Sequence, residues 1–138
     1  MRYYLDTNIL IFSLLNQRDE LNKEIIDLLD DYSNIFYISS IAVRELVLLY
    51  KEKKVKHPKF KFIDDLFTAM DVLNYEIKPF TKQHVMTYAN IETNEDHKDP
   101  NDHMIIAQAI SDKIPIISSD RKFKVYESQG LQLVFNKR

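Results

Sequence analysis

The sequence predicts an α/β fold: a single domain with a central, mostly parallel β-sheet flanked by helices. Short apolar and β-branched segments alternate along the chain with segments whose apolar residues recur at helical spacing. Strands that alternate with helices in this way are typical of a parallel sheet. The length of 138 residues, with 45% hydrophobic residues, suits one domain, and neither a repeat nor a linker divides it. We therefore expect residues 1–138 to form one domain.

The first half of the chain is predicted to contain two strands and three helices. In order, these are a strand at residues 3–5, a helix at 21–32, a strand at 35–38, a helix at 41–53 and a helix at 61–73. β-branched and aromatic residues indicate the second strand. Ser39 and Ser40 provide N-caps for the helix that follows, and Pro58 lies in the loop between the last two helices.

The second half continues this alternation. In order, the predicted elements are a strand at residues 75–77, a helix ending near 91, a helix at 100–111, a strand at 114–117, a short helix at 122–126 and a strand at 131–135. Thr81 is an N-cap, and Asp99-Pro100 has the form of an N-cap followed by proline at the first helical position. Because parallel sheets bind ligands outside the carboxyl ends of their strands, functional residues are expected there.

The cysteine and glycine counts exclude several kinds of site. The chain has no cysteine, which excludes disulfides, cysteine-ligated zinc and thiol nucleophiles and is compatible with a reducing compartment. Its single glycine, Gly130, excludes the glycine-rich loops that bind dinucleotides or nucleotide phosphates. No apolar run approaches the ~20 residues of a membrane span, and the N-terminus lacks a targeting signal. We therefore expect a cytoplasmic protein whose chemistry uses oxygen and nitrogen groups.

Four acidic side chains are predicted to meet at one edge of the sheet. Asp6 ends the first predicted strand and Asp120 follows the fourth, so parallel strands would place both carboxylates at the same edge. Glu45 and Asp102 each share a line of a predicted helix with apolar residues and are expected to face the core. Those apolar residues are Ile41, Leu48 and Leu49 for Glu45, and Ile105 and Ile106 for Asp102. A carboxylate placed there costs several kcal/mol unless it is paired, protonated or bound to a cation.

A divalent cation is the expected partner of these four acids, because no equal set of arginines is placed to neutralise them. Hard oxygen ligands without cysteine or paired histidine favour Mg²⁺ or Mn²⁺ over zinc. Such an ion can orient a phosphodiester, generate hydroxide and stabilise the leaving oxygen. The acids therefore predict metal-assisted hydrolysis of a phosphodiester.

Each acid also has a structural interpretation. Asp6 and Asp120 are typical turn residues after strands, Glu45 can pair with a lysine, and Asp102 can belong to a capping pattern that begins at Asp99. The functional interpretation depends on the coincidence of four positions rather than on any single acid. None of the histidines has zinc-binding spacing, and these are His57, His84, His97 and His103.

The lysine-rich segment from Lys51 to Lys61 is a strong local charge in a chain whose net charge is −2. Six lysines and one glutamate leave an excess of five positive charges there. Such a run is usually a solvated loop, and the alternative is a surface that binds nucleic-acid phosphates. The aromatic residues of this region fit helix and strand packing better than base stacking; they are Phe60, Phe62, Phe67, Tyr75 and Phe80.

These motifs together resemble the PIN-domain nucleases, and among them the VapC-like toxins of bacterial type II toxin–antitoxin systems. The resemblance covers essentially the whole chain, and its most specific part is the segment from Asp99 to Ala109. The matching segments are LDTNIL at residues 5–10, SSIAVREL at 39–46, HKDPNDHMIIAQA at 97–109 and IISSD at 116–120.

The resemblance implies an endoribonuclease that depends on Mg²⁺ or Mn²⁺. It assigns the catalytic and metal-binding positions to Asp6, Glu45, Asp102 and Asp120, and supporting positions to Asn8, Asp99 and Ser119. It also implies a small antitoxin partner and, often, a homodimer. His103 occupies a position where this subgroup commonly has arginine, so RNA contacts are expected from His103 itself or from the lysine-rich segment. The lysines proposed for this contact are Lys53, Lys54 and Lys56.

Two other classes of function remain open from the sequence. An aspartyl phosphotransferase or receiver domain also places an aspartate at a strand end, although Asp6-Thr7-Asn8 lacks the second aspartate of D-x-D. A binding module that keeps the fold without turnover is the non-enzymatic alternative. The complete set of four acids argues against the binding module, because the loss of metal ligands is a simple way to lose catalysis.

Overall fold

A five-stranded, all-parallel β-sheet lies at the centre of the computed structural model, which describes residues 1–138. The strands are β1 (Arg2–Leu5), β2 (Ile35–Ser39), β3 (Glu76–Lys78), β4 (Ile116–Ser118) and β5 (Leu133–Phe135). Their order across the sheet is β3-β2-β1-β4-β5. The central strand β1 pairs Tyr4 with Tyr37 of β2 and Leu5 with Ile117 of β4. The α/β class and the parallel sheet predicted from the sequence are therefore confirmed.

Helices lie between successive strands along the chain. The α-helices are α1 (Thr7–Leu14), α2 (Lys23–Asp30), α3 (Ser40–Lys51), α4 (Asp64–Val72), α5 (Lys82–Asn90) and α6 (Pro100–Asp112). Two 3₁₀ helices, Arg18–Glu20 and Arg121–Gln129, complete the set. None of the helices is long and apolar enough to span a lipid bilayer.

Polar residues cap the helices that begin near the carboxyl ends of the strands. Asp6 caps α1, Ser39 caps α3 and Asp99 caps α6, and in each case the side chain accepts a backbone N–H of the first turn. Asp120 caps the 3₁₀ helix after β4 in the same way. Three acidic side chains therefore lie at the N-termini of helices, and they are Asp6, Asp99 and Asp120.

The core is formed by the sheet and the apolar faces of the helices that cover it. Its fully buried side chains include Leu5, Ile9, Ile38 and Ile117, and these come from both halves of the chain. Helix α5 packs against α6, and α1 packs against α3. Burial of this one cluster holds the carboxyl ends of β1 and β4 beside each other.

Helix α1 is absent from the sequence prediction, and its composition explains why. Ile9, Leu10 and Leu14 are buried, while Ile11 and Phe12 are partly buried. A helix that is apolar on nearly all sides has no polar face, so its sequence lacks the helical period. The 3₁₀ helix Arg18–Glu20 was not predicted either. The remaining elements were predicted with shifted ends: β4 and β5 begin two residues later than expected, and the final short helix is a longer 3₁₀ helix.

The strand order also excludes the receiver domain, which the sequence had left open. Receiver domains are built on the order 2-1-3-4-5, whereas this sheet has the order 3-2-1-4-5. The receiver-domain interpretation is therefore wrong.

Candidate active site

Asp6 lies directly after β1 and is the most deeply buried of the four acids, with 4% of its surface exposed. The Thr7 backbone N–H donates to its Oδ1 at 2.8 Å, and the Ser118 hydroxyl donates to its Oδ2 at 2.8 Å. Burial raises the pKa of Asp6 to about 7, and the negative charges of Asp102 and Asp120 add to this effect. The hydrogen bonds act in the opposite direction and are outweighed.

Glu45 belongs to α3 and is linked to Asp6 through the intervening threonine. The Thr7 hydroxyl donates to Glu45 Oε1 at 3.1 Å. Burial raises the pKa of Glu45 to about 7, with smaller contributions from the negative charges of Asp6 and Asp99. The residue is half-buried, and the charges that act on it place Asp6 and Asp99 nearby.

The helical face of Glu45 was only partly predicted correctly. The buried residues of α3 are Ala42, Val43 and Leu46, whereas Leu48 is 44% exposed. Glu45 therefore lies beside the core-facing stripe rather than in the middle of it, and it is half-buried.

Asp102 lies in the first turn of α6 and faces the same cluster. Burial raises its pKa to about 7, and the charges of Asp99, Glu45 and Asp120 contribute in the same direction. His97 Nε2 lies 2.9 Å from Asp102 Oδ2. The buried neighbours Ile105 and Ile106 confirm the predicted inward face of this helix.

Asp120 completes the cluster from the β4 side. Its backbone N–H donates to the Ser118 hydroxyl at 3.0 Å, and its Oδ1 accepts the Lys122 backbone N–H at 2.9 Å. Ser118 therefore joins Asp120 to Asp6, because its hydroxyl also donates to that carboxylate. One potential ligand atom from each of three residues lies within 4.8 Å of the others, and these residues are His97, Asp102 and Asp120.

The supporting residues are placed differently from the main acids. Asp99 caps α6 through Asn101 N–H, yet its charge still contributes to the raised pKa values of Glu45 and Asp102. The Asn8 side chain is exposed, and the hydrogen bonds to Asp6 come from other residues. The Ser119 hydroxyl accepts a hydrogen bond from Asn136 at 2.8 Å, and the serine that contacts Asp6 is its neighbour Ser118.

The expected RNA contact by His103 requires a correction. His103 is 5% exposed, and its Nε2 donates to the backbone carbonyl of His97 at 2.7 Å. Its imidazole therefore stabilises the loop before α6 from inside the protein and is not placed on the surface. The lysines Lys53, Lys54 and Lys56, by contrast, are all exposed.

His97 is the site residue that the sequence reasoning missed. It lies in the irregular segment before α6, where no period indicates which way a side chain points. The structure places it 3% exposed among the acids, and burial lowers its pKa, which favours the neutral ring. The only sequence signal was its position in the segment HKDPND, two residues before a helix cap.

The residues of this site fit a hard divalent cation. Four carboxylates supply oxygen atoms, which are the ligands that Mg²⁺ and Mn²⁺ prefer. Three of the acids have pKa values raised to about 7 partly by one another, so their ionised forms repel. A bound cation would offset this repulsion and keep the carboxylates ionised.

A family model for the PIN domain matches residues 3–128. The chain belongs to the PIN domain family. No curated protein sequence matches that of this PIN domain. The predicted resemblance to this family is thereby confirmed.

Solved structures similar to this PIN domain include VapBC complexes. VapBC from Salmonella typhimurium, solved with bound DNA, has a TM-score of 0.70 and 22% identity, with 98% of each chain covered. VapBC2 from Rickettsia felis, bound to a promoter DNA fragment, has a TM-score of 0.66 and 22% identity, with 99% of this chain and 100% of that chain covered. FitAcB from Neisseria gonorrhoeae has a TM-score of 0.63 and 22% identity, with 97% and 96% covered. At these identities the likeness shows a shared fold.

Proposed function

We propose that this PIN domain protein is an endoribonuclease that depends on Mg²⁺ or Mn²⁺ and acts in the cytoplasm as the toxin of a toxin–antitoxin pair. The observation that carries the proposal is the convergence of Asp6, Glu45 and Asp102 from three separate elements. The pKa of each is raised to about 7, and each has another acid of the cluster among the causes. Membership of the PIN domain family supports a nuclease in general.

In the proposed reaction, the four acids hold the cation and thereby position the RNA phosphodiester. When bound, the cation orients the phosphate, activates water and stabilises the leaving oxygen. Asp6 is fixed by Thr7 and Ser118, so its carboxylate does not need to reorganise. Asp120 is fixed by the Lys122 backbone N–H. Protons held by the carboxyl groups in the metal-free protein leave when the cation binds.

Three further residues are proposed to support this set. Asp99 adds negative charge beside Glu45 and Asp102, which strengthens attraction of a cation. Asn8, exposed at the start of α1, is proposed to support Asp6 once substrate is bound. Ser119 is proposed to act indirectly, because its bond to Asn136 fixes the chain that leads into Asp120.

The lysine-rich loop is proposed to bind the RNA backbone. Val55 and Phe60 are buried and anchor the loop, while the Tyr50 hydroxyl donates to the Phe60 carbonyl at 3.2 Å. Lys53, Lys54 and Lys56 flank the buried Val55 and are exposed. Lys54 also pairs with Glu52, with 3.0 Å between Nζ and Oε2. Phe62, expected to pack in the core, is 72% exposed and offers a ring on which an RNA base can stack.

The protein partner is proposed to be a small antitoxin, and the chain itself is proposed to form a homodimer. Support comes from the structural neighbours, which are VapBC complexes, and from a neighbour described as a toxin–antitoxin complex from Klebsiella pneumoniae. Expression of this chain alone should arrest growth, and co-expression of a short reading frame encoded immediately upstream should relieve the arrest. Growth that is unaffected by the intact chain would contradict the toxin proposal and leave the nuclease proposal standing.

The test of the nuclease proposal is cleavage of structured RNA by the purified protein with Mg²⁺ or Mn²⁺. We expect cleavage that a chelator abolishes and that Asp6→Asn and Asp120→Asn each remove. Asp71→Asn, which changes an exposed acid of α4, is the matched control and should cleave normally. Cleavage that survives chelation or both site substitutions would contradict the proposal. A protein that binds RNA or a partner without cleavage under either metal would instead support a binding module.

A further inference from the structure

The segment before α6 directs one buried imidazole at the acidic cluster, and both of its ring nitrogens have partners. His97 Nε2 lies 2.9 Å from Asp102 Oδ2, and its Nδ1 lies 3.1 Å from the Tyr126 hydroxyl. The ring also packs against Phe123 and His103, with ring centroids 5.8 Å and 4.9 Å away. Its position is therefore fixed from several sides.

The hydrogen bonds around this ring determine where its proton lies. A carboxylate that holds a cation is ionised and only accepts, so Nε2 must donate to Asp102. The Asn94 backbone N–H donates to the Tyr126 oxygen at 3.3 Å. The Tyr126 hydroxyl proton then needs an acceptor, and Nδ1 of His97 is the one beside it. The neutral ring with its proton on Nε2 gives an acceptor to every donor in this series of hydrogen bonds, which runs from Asn94 through Tyr126 and His97 to Asp102.

We propose that His97 is a positioning residue for the metal-binding carboxylate of Asp102, and that the Tyr126 hydroxyl fixes the His97 tautomer this requires. This inference rests on the proposed function. The bond to Oδ2 occupies one oxygen of Asp102, and no protein donor contacts Oδ1. Oδ1 is thus the oxygen that would be available to hold a cation.

The same bonds argue that His97 does not itself bind the cation, although it lies close to Asp102 and Asp120. Its Nε2 carries a proton, and the lone pair on Nδ1 accepts from Tyr126. Ligating groups in metal sites are commonly held by such outer hydrogen bonds, and loss of one typically costs 10- to 100-fold in metal affinity or activity.

A pair of variants at residue 97 separates the hydrogen bond from the shape of the side chain. His97→Gln keeps an N–H that reaches Asp102, whereas His97→Leu removes it. By isothermal titration, we expect Mn²⁺ affinity to fall about 10- to 100-fold in His97→Leu and to recover largely in His97→Gln. RNA cleavage should show a lower kcat with little change in KM, because the substrate surface is unchanged.

Tyr126→Phe tests the tautomer and also serves if His97→Leu does not fold. In ¹⁵N NMR spectra recorded above pH 8, where the Asp102 carboxyl is ionised, His97 of the intact protein should carry its proton on Nε2. Tyr126→Phe should give a mixture of tautomers with weaker Mn²⁺ binding. Tyr75→Phe removes another tyrosine hydroxyl, one that contacts Ser13 near the end of α1 opposite its Asp6 cap, and should change neither readout.

Three results would overturn the inference: Mn²⁺ affinity unchanged in His97→Leu, His97→Gln as weak as His97→Leu, or a proton on Nδ1 in the intact protein. An intact protein that binds no Mn²⁺ and cleaves no RNA would contradict the proposed function and the inference with it. Normal Mn²⁺ binding and cleavage by the intact protein, accompanied by any of the three results, would contradict the inference alone.

Discussion

Two histidine–aspartate pairs in this protein have similar distances and different surroundings. His97 Nε2 lies 2.9 Å from Asp102 in the acidic cluster, and His84 Nε2 lies 2.8 Å from Asp112 at the far end of the same helix α6. Asp112 accepts on both oxygens, because the Tyr4 hydroxyl donates to Oδ2 while His84 bonds Oδ1. Asp102 accepts from protein on one oxygen only.

The difference shows what distinguishes a structural pair from a candidate metal site. His84 Nδ1 accepts the Thr81 backbone N–H at 2.9 Å, so its Nε2 carries the proton donated to Asp112. That network joins α5 and α6 to β1, and each oxygen of Asp112 has a protein donor. The Asp102 pair instead has an oxygen without a protein donor and other carboxylates beside it, and those carboxylates help to raise its pKa.

The largest effect is expected when the same charge-removing substitution is made in each pair and RNA cleavage is compared. Asp102→Asn should lower kcat/KM for RNA cleavage by at least about 100-fold, because it removes a proposed metal ligand. Asp112→Asn changes the same residue type at the other end of α6 and should leave cleavage nearly unchanged. Steady-state kinetics at a temperature where both variants are folded provides the measurement. Equal losses in the two variants would contradict the distinction.

Substitution of Asp112 and substitution of Asp102 should change the free energy of unfolding in opposite directions. Asp112→Ala leaves the buried groups of Tyr4 and His84 without their partner, so the free energy of unfolding should fall by about 2 kcal/mol. Asp102→Asn should raise the stability of the metal-free protein, because it removes a charge from a repulsive cluster. Urea unfolding with chelator present tests both. A destabilised Asp102→Asn would show that the cluster is not repulsive.

The acidic cluster should also make the metal-free protein less stable as pH rises. Asp6, Glu45 and Asp102 ionise near pH 7 in the folded protein, against ordinary values of 3.8 for Asp and 4.5 for Glu. Between these values the unfolded chain binds fewer protons, so the free energy of unfolding falls as pH rises from about 4 to 7 and then levels off. For each group, a difference of one between its pKa in the folded and unfolded protein changes the free energy of unfolding by about 1.4 kcal/mol. Mn²⁺ should restore stability at pH 7 to 8, and constant stability from pH 4.5 to 7 would contradict this prediction.

The smallest effect is expected outside both pairs, in the lysine-rich loop. The triple variant Lys53→Gln, Lys54→Gln and Lys56→Gln should raise KM for RNA without changing kcat, because it removes contacts to the backbone only. The slope of log affinity against log salt should decrease by up to about 2 for a single strand. A triple variant at other exposed lysines, Lys23, Lys113 and Lys137, is the charge-matched control. If both triple variants change KM and the salt dependence equally, the net charge of the protein, rather than this loop, causes the effect.

Most of the features predicted correctly from the sequence depend on residues at the ends of strands and helices. The segment Asp99-Pro100 indicated the start of α6, and the observed helix begins at Pro100 with Asp99 as its cap. Asp6 and Asp120 follow neighbouring parallel strands, so their shared edge followed from the α/β class. Local chemistry and periodicity determine these features, and both are visible along the chain.

The remaining features depend on tertiary packing. Helix α1 has no polar face, so its pattern did not distinguish it from an apolar stretch. The resemblance assigned a supporting position to Ser119 and none to Ser118, although the Ser118 hydroxyl is the one that contacts Asp6. Successive residues at a strand end point to opposite faces, so which of two adjacent serines reaches the acids depends on the exact end of the strand. His97 reaches the cluster from an irregular segment whose course is set by Tyr126 and Phe123.

The most direct test of the convergent acidic site is calorimetric titration of the metal-free protein with Mn²⁺ at pH 7.5. The account predicts saturable binding with release of protons, because carboxyl groups with a pKa of about 7 must lose their protons to bind the ion. Binding should weaken strongly in Asp6→Asn and Asp102→Asn and remain intact in Asp112→Asn. Absence of saturable binding, or equal affinity in all four proteins, would contradict the central claim.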